Sequence, residues 1–445
     1  MTGRYKAYPE YKDSGVEWVG KIPSHWGLKK LKYLAPLISE KAKGKTNPIA
    51  LEHIQSWTGK LISTDSKFDG DGTKFKAGDI LFGKLRPYLA KVYLTEEDGE
   101  AIGDFHVMRP INSSYGKFLK SLMLTTDYIS TVDASTYGAK MPRASWDFTS
   151  NIQLPFCSET EAEKITNFLD HETAKIDSLI AKQEMLIELL KEKRQAVISH
   201  AVTKGLNSDA PMKNSGVEWL GEVPEHWVVC CLKHIKGEDK GSFVDGPFGS
   251  NLKSEHFVDN GDVYVIESNF ATTGLLDTTK LKTISTEHFE TISRSETTEG
   301  AIIIAKIGAR YGMNSVMPAL DKKAVVSGNS LSLKINDKAM DVQYCHHLLT
   351  HLKQEGAMDD GVNVTAQPAL SLGQLNNLPF LRPSKEEQQA IVNFVQQQEK
   401  SLSSLILNAE RMIELSRERK TALISAAVTG KIDVRDWQPQ GVQDE

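Results

Sequence analysis

A thirteen-residue segment occurs twice in this chain and constrains its architecture more than any other feature. Residues 14–26 read SGVEWVGKIPSHW and residues 215–227 read SGVEWLGEVPEHW, so nine of thirteen positions are identical at an offset of 201. Two further segments, 158–203 and 384–429, end in ISHAVT and ISAAVT at an offset of 226. Units of about 200 residues can bury their own cores, unlike the short units of a solenoid. The repetition therefore predicts a duplicated domain.

The composition is that of an ordinary globular protein, with 40% hydrophobic and 25% charged residues among 445. The most apolar stretch, 301–305, is too short to cross a bilayer, and the N-terminus lacks the apolar core of a signal peptide. We therefore expect a cytosolic protein without membrane contact. The cysteines show no C-x-x-C spacing, so neither a disulfide framework nor a metal site is predicted.

The net charge of -5 conceals a difference between the two units. Residues 1–150 contain 22 basic and 17 acidic side chains, whereas residues 206–380 contain 15 basic and 22 acidic side chains. Phosphate binding requires clustered Lys and Arg, so the acidic balance weakens the case for a nucleic-acid partner of the second unit. It does not exclude one, because binding depends on the face presented and not on the sum of charges.

A long helix is predicted at the end of each unit. Ser158-x-x-Glu161 and Ser384-x-x-Glu387 are capping-box sequences, and each follows an LPF tripeptide. Each helix extends for about 40 residues, or roughly 60 Å.

Apolar residues follow a 4-3 spacing along both helices, which is typical of a coiled-coil seam. The first seam is predicted at Ile165, Leu169, Glu172, Ile176, Leu179, Gln183, Leu186, Leu190, Lys193 and Val197. The second is predicted at Ile391, Val395, Gln398, Leu402, Leu405, Ala409, Met412, Ser416, Arg419 and Leu423. A further row of isoleucines widens the stripe: Ile180, Ile187, Ile198, Ile406, Ile413 and Ile424. Two packed helices would leave this row exposed, so we expect it either to dock a partner protein or to contact the chain's own globular domains.

Short strands and turns are predicted between each repeated tag and its helix. Residues 75–94 and 297–317 match at an offset of 222, and cations with an aromatic ring follow the matched strand in both copies. These residues are Lys84, Arg86 and Tyr88 in the first unit and Lys306, Arg310 and Tyr311 in the second. Such a set suits phosphate contact with base stacking or base-edge recognition, and the alternative is a solvated hairpin.

A second pair of candidate loops precedes the LPF tripeptides. Residues 138–146 contain Lys140 and Arg143, whereas the corresponding residues 361–369 carry Asn363, Thr365 and Gln367. Cationic and amide side chains at one position would recognise different bases, and Asn and Gln favour adenine. The second unit is also longer, and its additional length includes GPFGSNLK, which ends at a further candidate, Lys253.

Motifs of catalysis are incomplete. There is no H-E-x-x-H, no G-x-S-x-G and no glycine-rich loop of the kind that holds S-adenosylmethionine. Glu238 and Lys240 resemble part of a nuclease site, but no Asp lies on a convincing preceding strand. His25 and His226 are expected to be structural, with hydrogen bonds inside the repeated tag. A self-contained DNA-modifying or cleaving enzyme, and a coiled-coil scaffold without DNA contact, remain as alternatives.

The order of tag, variable domain and capped long helix, followed by the same order again and by LISAAVTGKID at 423–433, resembles the specificity subunit of type I restriction-modification enzymes. The resemblance covers nearly the whole chain. It implies an α+β fold, in which two mixed α/β target-recognition domains with a pseudo-twofold relation are joined by two long helices forming an antiparallel coiled coil. The corresponding segments are a first recognition domain at 1–156, a first helix at 157–205, a second recognition domain at 206–381, a second helix at 382–430 and a tail at 431–445.

The resemblance also implies a function in phage defence. Each recognition domain would read one half of an asymmetric, bipartite double-stranded DNA target, and the helices would dock two modification (methyltransferase) subunits. Restriction subunits would add translocation and cleavage. The chain itself is expected to be non-catalytic and to hold no cofactor or metal. S-adenosylmethionine, ATP and Mg would then belong to the partner subunits, which methylate adenine and cleave DNA.

Overall fold

The structure is a computed structural model and describes residues 5–42, 46–63, 72–136, 140–359 and 368–439. The chain divides into two compact units. Unit 1 comprises Met1–Met185 with Ala409–Glu445, and unit 2 comprises Leu186–Asn408. Each unit therefore contains one of the repeated tags, one variable region and part of each long helix.

Unit 1 contains the first eleven strands and the first four helices of the chain, together with part of the fifth helix. The strands are β1 Tyr11–Asp13, β2 Lys21–Pro23, β3 Gly27–Lys30, β4 Leu37–Ile38, β5 Pro48–Ile49, β6 Gly72–Phe75, β7 Ile80–Gly83, β8 Val92–Leu94, β9 Gly99–Ile102, β10 Phe105–Met108 and β11 Gln153–Phe156. The helices are α1 Leu31–Leu34, α2 Ser113–Met123, α3 Thr126–Asp133, α4 Trp146–Thr149 and α5 Glu159–Lys204.

Unit 2 contains the remaining strands and helices, with α10 continuing into unit 1. The strands are β12 Met212–Asn214, β13 Glu222–Pro224, β14 Val228–Cys231, β15 Phe243–Asp245, β16 Val263–Ile266, β17 Lys282–Ile284, β18 Glu296–Thr297, β19 Ile302–Ala305, β20 Asn314–Val316, β21 Lys323–Val326, β22 Ser330–Leu333 and β23 Pro379–Arg382. The helices are α6 Ser268–Thr273, α7 Thr286–Ile292, α8 Val342–Gln354, α9 Leu372–Asn376 and α10 Lys385–Val428.

Each unit contains a four-stranded antiparallel sheet of the same arrangement. The strand order is β4-β10-β7-β8 in unit 1 and β15-β22-β19-β20 in unit 2. The central strands β7, β10, β19 and β22 are buried along their whole length, because each carries mainly apolar or small residues and is covered on both faces. Strands β7 and β19 begin at Ile80 and Ile302, so the predicted match at an offset of 222 is confirmed.

The units differ in their second sheet. Unit 1 has three strands in the order β5-β9-β6, whereas unit 2 has four in the order β17-β16-β21-β18, with β16 and β21 parallel. This larger sheet has two apolar clusters of its own, one of which centres on Ile266, Phe270 and Ile303. The additional residues of the second copy therefore contribute to this second sheet, which lies beside the four-stranded antiparallel sheet of unit 2.

The repeated tags form equivalent hairpins. Strand β1 pairs with β2 and β12 pairs with β13, and the residue after each tag's Trp begins a strand that pairs with the LPF segment in β11 or β23. Trp26 and Trp227 are fully buried. Their burial fixes each tag against the core of its own unit, so these residues belong to the frame of the fold.

Both long helices begin at the predicted serine caps. The Oγ of Ser158 accepts a hydrogen bond from the backbone N–H of Glu161 at 3.3 Å, and Ser384 caps Glu387 in the same way at 3.2 Å. An N-terminal serine cap satisfies one of the backbone donors that a helix start leaves without an intrahelical partner. The predicted starts of the two helices are confirmed.

The glutamates of the two capping boxes, Glu161 and Glu387, interact with side chains at the repeated tags. Glu161 is buried, accepts a hydrogen bond from the hydroxyl of Tyr8 at 2.6 Å and lies 3.0 Å from Nε2 of His25. Burial, together with this hydrogen bond to a carboxylate, raises the pKa of Tyr8. Glu387 pairs with Nε2 of His226 at 2.9 Å. The tag histidines are therefore structural, as predicted, and each ties a tag to the start of a long helix.

The long helices α5 and α10 pack against each other in antiparallel orientation within unit 1. The Arg417 guanidinium donates to Glu184 at 3.2 Å and the Lys420 ammonium donates to Asp177 at 2.6 Å. Residue numbers thus rise along α5 as they fall along α10. The helices contain 46 and 44 residues, slightly more than the sequence predicts.

The predicted seam of α5 is wrong at two positions beyond Ile176, Leu179 and Leu186, whereas Leu190 is buried as predicted. Leu179 and Leu186 are exposed, whereas Ile187 is only 8% exposed, so the buried stripe continues through the neighbouring positions Ile180 and Ile187. Both phases place apolar side chains at a 4-3 spacing, and spacing alone cannot choose between them. The packing partner decides which stripe is buried.

The same shift occurs on α10. Leu405 and Met412 are exposed, whereas Ile413 is buried and Ile406 is partly buried. Ala409 and Ser416 are buried as predicted. The isoleucine row is therefore mostly buried and does not form a second, solvent-facing stripe.

Candidate nucleic-acid interface

Corresponding turns follow the central strands β7 and β19. The backbone N–H of Lys84 donates to the carbonyl of Asp104 at 2.8 Å, and that of Lys306 donates to the carbonyl of Asn329 at 2.8 Å. The two lysines thus occupy one position of a shared backbone frame. The residues opposite them differ, with a carboxylate in unit 1 and an amide in unit 2.

In unit 1 two cations share one carboxylate. The Arg143 guanidinium donates to Asp104 at 2.9 and 3.1 Å, and the ammonium of Lys84 lies 3.7 Å from the same carboxylate. The hydrogen bonds from Arg143, together with the charges of Arg143 and Lys84, hold the pKa of Asp104 below its usual value. The cluster retains one positive charge at a partly exposed edge, where it can meet a phosphate.

Arg86 lies beside this cluster in a strained conformation. Its φ is 50°, in the left-handed region, and its backbone N–H donates to the carbonyl of Pro142 at 2.8 Å. A left-handed conformation costs a non-glycine residue on the order of 1 kcal/mol, and the Pro142 bond helps to hold it. Arg86 and Lys140 are exposed, and Tyr88 is 45% exposed. The structure therefore brings Lys84, Arg86 and Arg143, from two separate candidate loops, to one edge.

Unit 2 forms the same charge arrangement from different elements. Lys306 donates to Asp245 at 3.1 Å and Arg294 donates to the other oxygen of that carboxylate at 2.9 Å. Sequence reasoning identified Lys306 but missed Asp245 and Arg294. These two residues are 49 positions apart in the chain, and no local pattern connects them.

Two predicted residues of unit 2 have different surroundings. The hydroxyl of Tyr311 donates to Asp359, and the ammonium of Lys353 lies 3.5 Å from the centroid of the Tyr311 ring. Burial and the hydrogen bond to Asp359 raise the pKa of Tyr311. Tyr311 is thus held by its own unit, whereas Arg310 is exposed and lines a recess together with Asn269. The predicted residues Asn363, Thr365 and Gln367 lie outside the described residues.

An open cleft of about 790 Å³ lies next to Lys306. One wall is the GPFGS loop at 246–250, and the opposite side is formed by the start of α6 and the turn between β21 and β22. Its side chains of chemical interest are Phe248, Lys253, Asn269, Lys282, Lys306 and Asn329. Only Lys253 and Lys306 were predicted, because isolated Asn and Phe residues carry no recognisable sequence signal.

Most of the predicted docking isoleucines are not free for a partner. Ile187, Ile198 and Ile413 are buried, and Ile180 and Ile424 pack against the core of unit 1. Of the two alternatives, contact with the chain's own globular domains fits Ile180, Ile198 and Ile424. Their role in docking remains a prediction. The exposed apolar side chains of the helices are Leu179, Met185, Leu186, Leu189, Leu405, Leu407, Met412 and Leu415.

Other chemistry is sparse in the part of the chain that the structure describes. Within it, no group of three or more His, Cys, Asp or Glu residues is placed to hold a metal ion, and no helix is long and apolar enough to span a membrane. Cys157 and Cys345 are buried, and burial raises the pKa of both thiols. Glu238, the candidate nuclease residue, is exposed in a turn.

Comparison with known proteins shows which proteins the chain resembles. Residues 248–414 match the family model of the type I restriction modification DNA specificity domain. The type I restriction enzyme MjaVIII specificity subunit of Methanocaldococcus jannaschii is 21% identical over 442 residues, covering 94% of this chain and 95% of the relative. The chain is thus similar to type I restriction-modification specificity subunits over nearly its whole length.

Further similarities agree with this assignment. The type I restriction enzyme EcoDI specificity subunit of Escherichia coli is 26% identical over 256 residues, which cover 53% of this chain and 54% of the relative. The HsdS subunit from Thermoanaerobacter tengcongensis has the same fold, with a TM-score of 0.57, 15% identity and coverage of 92% and 98%. A chain from a structural study of the assembly and conformational transition of the type I R-M system reaches a TM-score of 0.66 at 17% identity, with coverage of 92% and 98%.

The match to the DNA specificity domain lies on unit 2 and continues along α10 as far as residue 414. The matched segment begins at Phe248, in the wall of the cleft, and includes Arg294, Lys306 and Asn329. The more acidic of the two units is thus the one that matches a DNA specificity domain. Three of its lysines, Lys253, Lys282 and Lys306, line the cleft.

Proposed function

We propose that this chain is the non-catalytic, DNA-reading subunit of a type I restriction-modification complex, in which each unit reads one half of an asymmetric bipartite target. The observation that carries the proposal is the shared frame at Lys84 and Lys306. The backbone bonds are the same in both units, but Asp104 faces the first lysine and Asn329 faces the second. One scaffold with different side chains at its reading edge is suited to recognising two different base sequences.

The chemistry of these edges supports a division of roles. Two cations on one carboxylate leave a net positive charge that can position a phosphate, and an amide or guanidinium at the same edge can distinguish bases. Methyl transfer from S-adenosylmethionine would be carried out by modification subunits. ATP-driven translocation and Mg-dependent cleavage would be carried out by restriction subunits.

The proposal is tested by co-expressing the chain with the modification subunits of its own operon. Mapping of methylated adenines in the host genome should reveal one asymmetric, split target that disappears when the chain is omitted. The purified chain alone should methylate no DNA. Methylation by the isolated chain, or an unchanged methylation pattern without it, would contradict the proposal.

Arg143→Ala and Arg294→Ala form a matched pair of tests for the two halves of the target. Each change removes one of two cations from a shared carboxylate, at Asp104 in unit 1 and at Asp245 in unit 2. We expect each to weaken DNA binding with a shallower dependence of affinity on salt, and to reduce discrimination in one half-site only. If both variants affected the same half of the target, the assignment of one half to each unit would be wrong.

We further infer that α5 and α10 form an antiparallel coiled coil with pseudo-twofold symmetry, whose outer face docks the modification subunits. Leu189 is 54% exposed, whereas Ile187, two residues earlier, is buried. Leu189→Asp should leave the subunit folded but abolish co-purification with the modification subunit. Ile187→Asp should lower the thermal stability of the chain itself, because it places a charge in a buried contact. Retained co-purification of a folded Leu189→Asp chain would exclude this face.

A further inference from the structure

The cleft beside Lys306 combines three kinds of side chain that nucleic-acid sites use. It presents an exposed aromatic ring, two amides and three ammonium groups in a space of about 790 Å³. This concentration is unexpected in unit 2, because residues 206–380 contain seven more acidic than basic side chains. The cleft is lined by three lysines and by one carboxylate, Glu267.

The aromatic ring is that of Phe248, in a loop whose backbone approaches a second segment closely at two glycines. A Cβ on Gly246 would collide with the backbone of Ser327, and a Cβ on Gly328 would lie 2.7 Å from the carbonyl oxygen of Pro247. The two backbone segments therefore approach more closely than side chains would permit. Phe248 follows this contact directly and is 68% exposed at the wall of the cleft. A rigid loop thus holds an apolar ring in solvent, where only a ligand can cover it.

The amides of the cleft are free to recognise a ligand. Asn269 and Asn329 are exposed, and their side chains make no hydrogen bond within the described part of the chain. Their backbone carbonyls are used internally, by Thr273 and by Lys306, so the positions of both residues are fixed. An amide held at a fixed position can donate and accept at once, which is the pattern that the major-groove edge of adenine requires.

The ammonium groups of two cleft lysines can exchange their protein carboxylates for phosphates. Lys282 lies 2.6 Å from Glu267 and Lys253 lies 3.7 Å from Glu255, and all four side chains are about half exposed or more. Exposed ion pairs of this kind contribute little to stability, so exchanging the carboxylate for a phosphate costs little. Lys306 differs, because its ion pair with Asp245 is largely buried. It therefore serves as a fixed element of the cleft.

We propose that this cleft is the base-reading site of unit 2, in which double-stranded DNA is recognised through Asn269 and Asn329, phosphates are held by Lys253 and Lys282, and Phe248 packs between or against bases. The proposal rests on the proposed function, and it adds which residues of the acidic unit read the sequence. Apolar side chains that enter a DNA groove can unstack a base step and bend the duplex. The presence of two amides predicts at least one adenine contact in the half-site that unit 2 reads.

The test uses the complex of this chain with its modification subunits and a duplex library randomised at every target position. Asn329→Ala and Asn269→Ala should each lower discrimination at one base pair of a single half-site by roughly 5- to 150-fold. Phe248→Ala should lower affinity and reduce DNA bending, measured by fluorescence resonance energy transfer between the duplex ends, whereas Phe248→Leu should retain much of both. Lys282→Ala should weaken all sequences alike and reduce the slope of log K against log salt by about 1.

Controls separate the possible outcomes. Lys338 is exposed in the same unit and does not line the cleft, so Lys338→Ala should leave both discrimination and the salt slope nearly unchanged. If the asparagine variants keep full specificity while Arg143→Ala relaxes the other half-site, the cleft inference fails and the bipartite function stands. If the wild-type complex shows no sequence-specific methylation, the proposed function itself fails. Loss of co-purification in the Phe248→Ala variant would identify the cleft as a protein-binding site and overturn the inference.

Discussion

Replacing the glycine that follows each long helix by alanine should affect the two units unequally. Gly205 follows α5 and Gly430 follows α10 after one intervening residue, and both have a positive φ, of 77° and 74°. After α10 the backbone N–H of Lys431 donates to the carbonyl of Ala426 at 2.7 Å, which is the bond of a Schellman motif. The left-handed conformation alone costs alanine about 1–2 kcal/mol at either site.

The surroundings of the two glycines make the difference. A Cβ on Gly205 would lie 3.3 Å from both Glu387 and Trp227, a tight contact that small shifts can relieve. A Cβ on Gly430 would lie 2.7 Å from Cγ of Pro23 and 3.2 Å from the ring of Trp26. Because Trp26 is fully buried, this overlap has no easy route of relief. Overpacking of this kind adds about 1–3 kcal/mol, so Gly430→Ala should cost about 2–5 kcal/mol in total.

Differential scanning calorimetry of the full chain measures the effect. In a unit of about 200 residues, 1 kcal/mol shifts the transition temperature by roughly 2–4 °C. Gly430→Ala should therefore lower the transition of unit 1 by at least about 4 °C, and hydrogen exchange should locate the loss of protection around Trp26. Equal shifts for Gly205→Ala and Gly430→Ala, or a loss of protection confined to unit 2 in the Gly430 variant, would refute this reasoning.

Three further predictions follow from buried polar groups and from the helix contact. Burial lowers the pKa of His346 and of His347 to about 4, so the unfolded chain binds protons that folded unit 2 does not. The stability of unit 2 should therefore fall as the pH drops from about 6.5 towards 4, and the loss at pH 5 should be up to about 2 kcal/mol per histidine. Calorimetry at a series of pH values measures this loss, and a melting temperature independent of pH would show that the histidines are solvated. Glu161→Ala should destabilise the chain by about 1–3 kcal/mol more than Glu387→Ala does. Glu161 is the more buried of the two, and its loss leaves the hydroxyl of Tyr8 without its hydrogen-bond acceptor. Equal melting temperatures of the two variants would argue against this. Ile187→Asp should cost several kcal/mol, and a melting temperature equal to that of the native chain would show that the contact is open to solvent.

The sequence was most informative where local chemistry determines structure. Serine caps and the matched central strands depend on neighbouring residues, and both were predicted at the correct positions. The helix seam was predicted wrongly at Leu179 and Leu186, because each is followed directly by an isoleucine and either residue of the pair satisfies the spacing. Only the position of the partner helix distinguishes them, and that position is set by contacts between segments more than 200 residues apart.

The candidate site shows the same limit. Lys84 and Lys306 could be identified because both follow a repeated strand. The pairing of Asp245 with Arg294 and the placement of Asn269 and Asn329 in one cleft are products of the fold, and no sequence spacing predicts either. Asn269 and Asn329, the residues proposed to read bases in unit 2, were missed for this reason.

Unit 1 is built from two separate segments of the chain, and this affects the order in which the chain can fold. Unit 2 is one continuous segment, whereas unit 1 needs Ala409–Glu445 to complete it. Leu423, Ala427 and Val428 belong to the main core of unit 1. During synthesis unit 2 can therefore close first, and unit 1, although its synthesis starts earlier, must wait until Leu423, Ala427 and Val428 have left the ribosome. A stop codon at position 409 would accordingly damage the unit that contains residues 1–185.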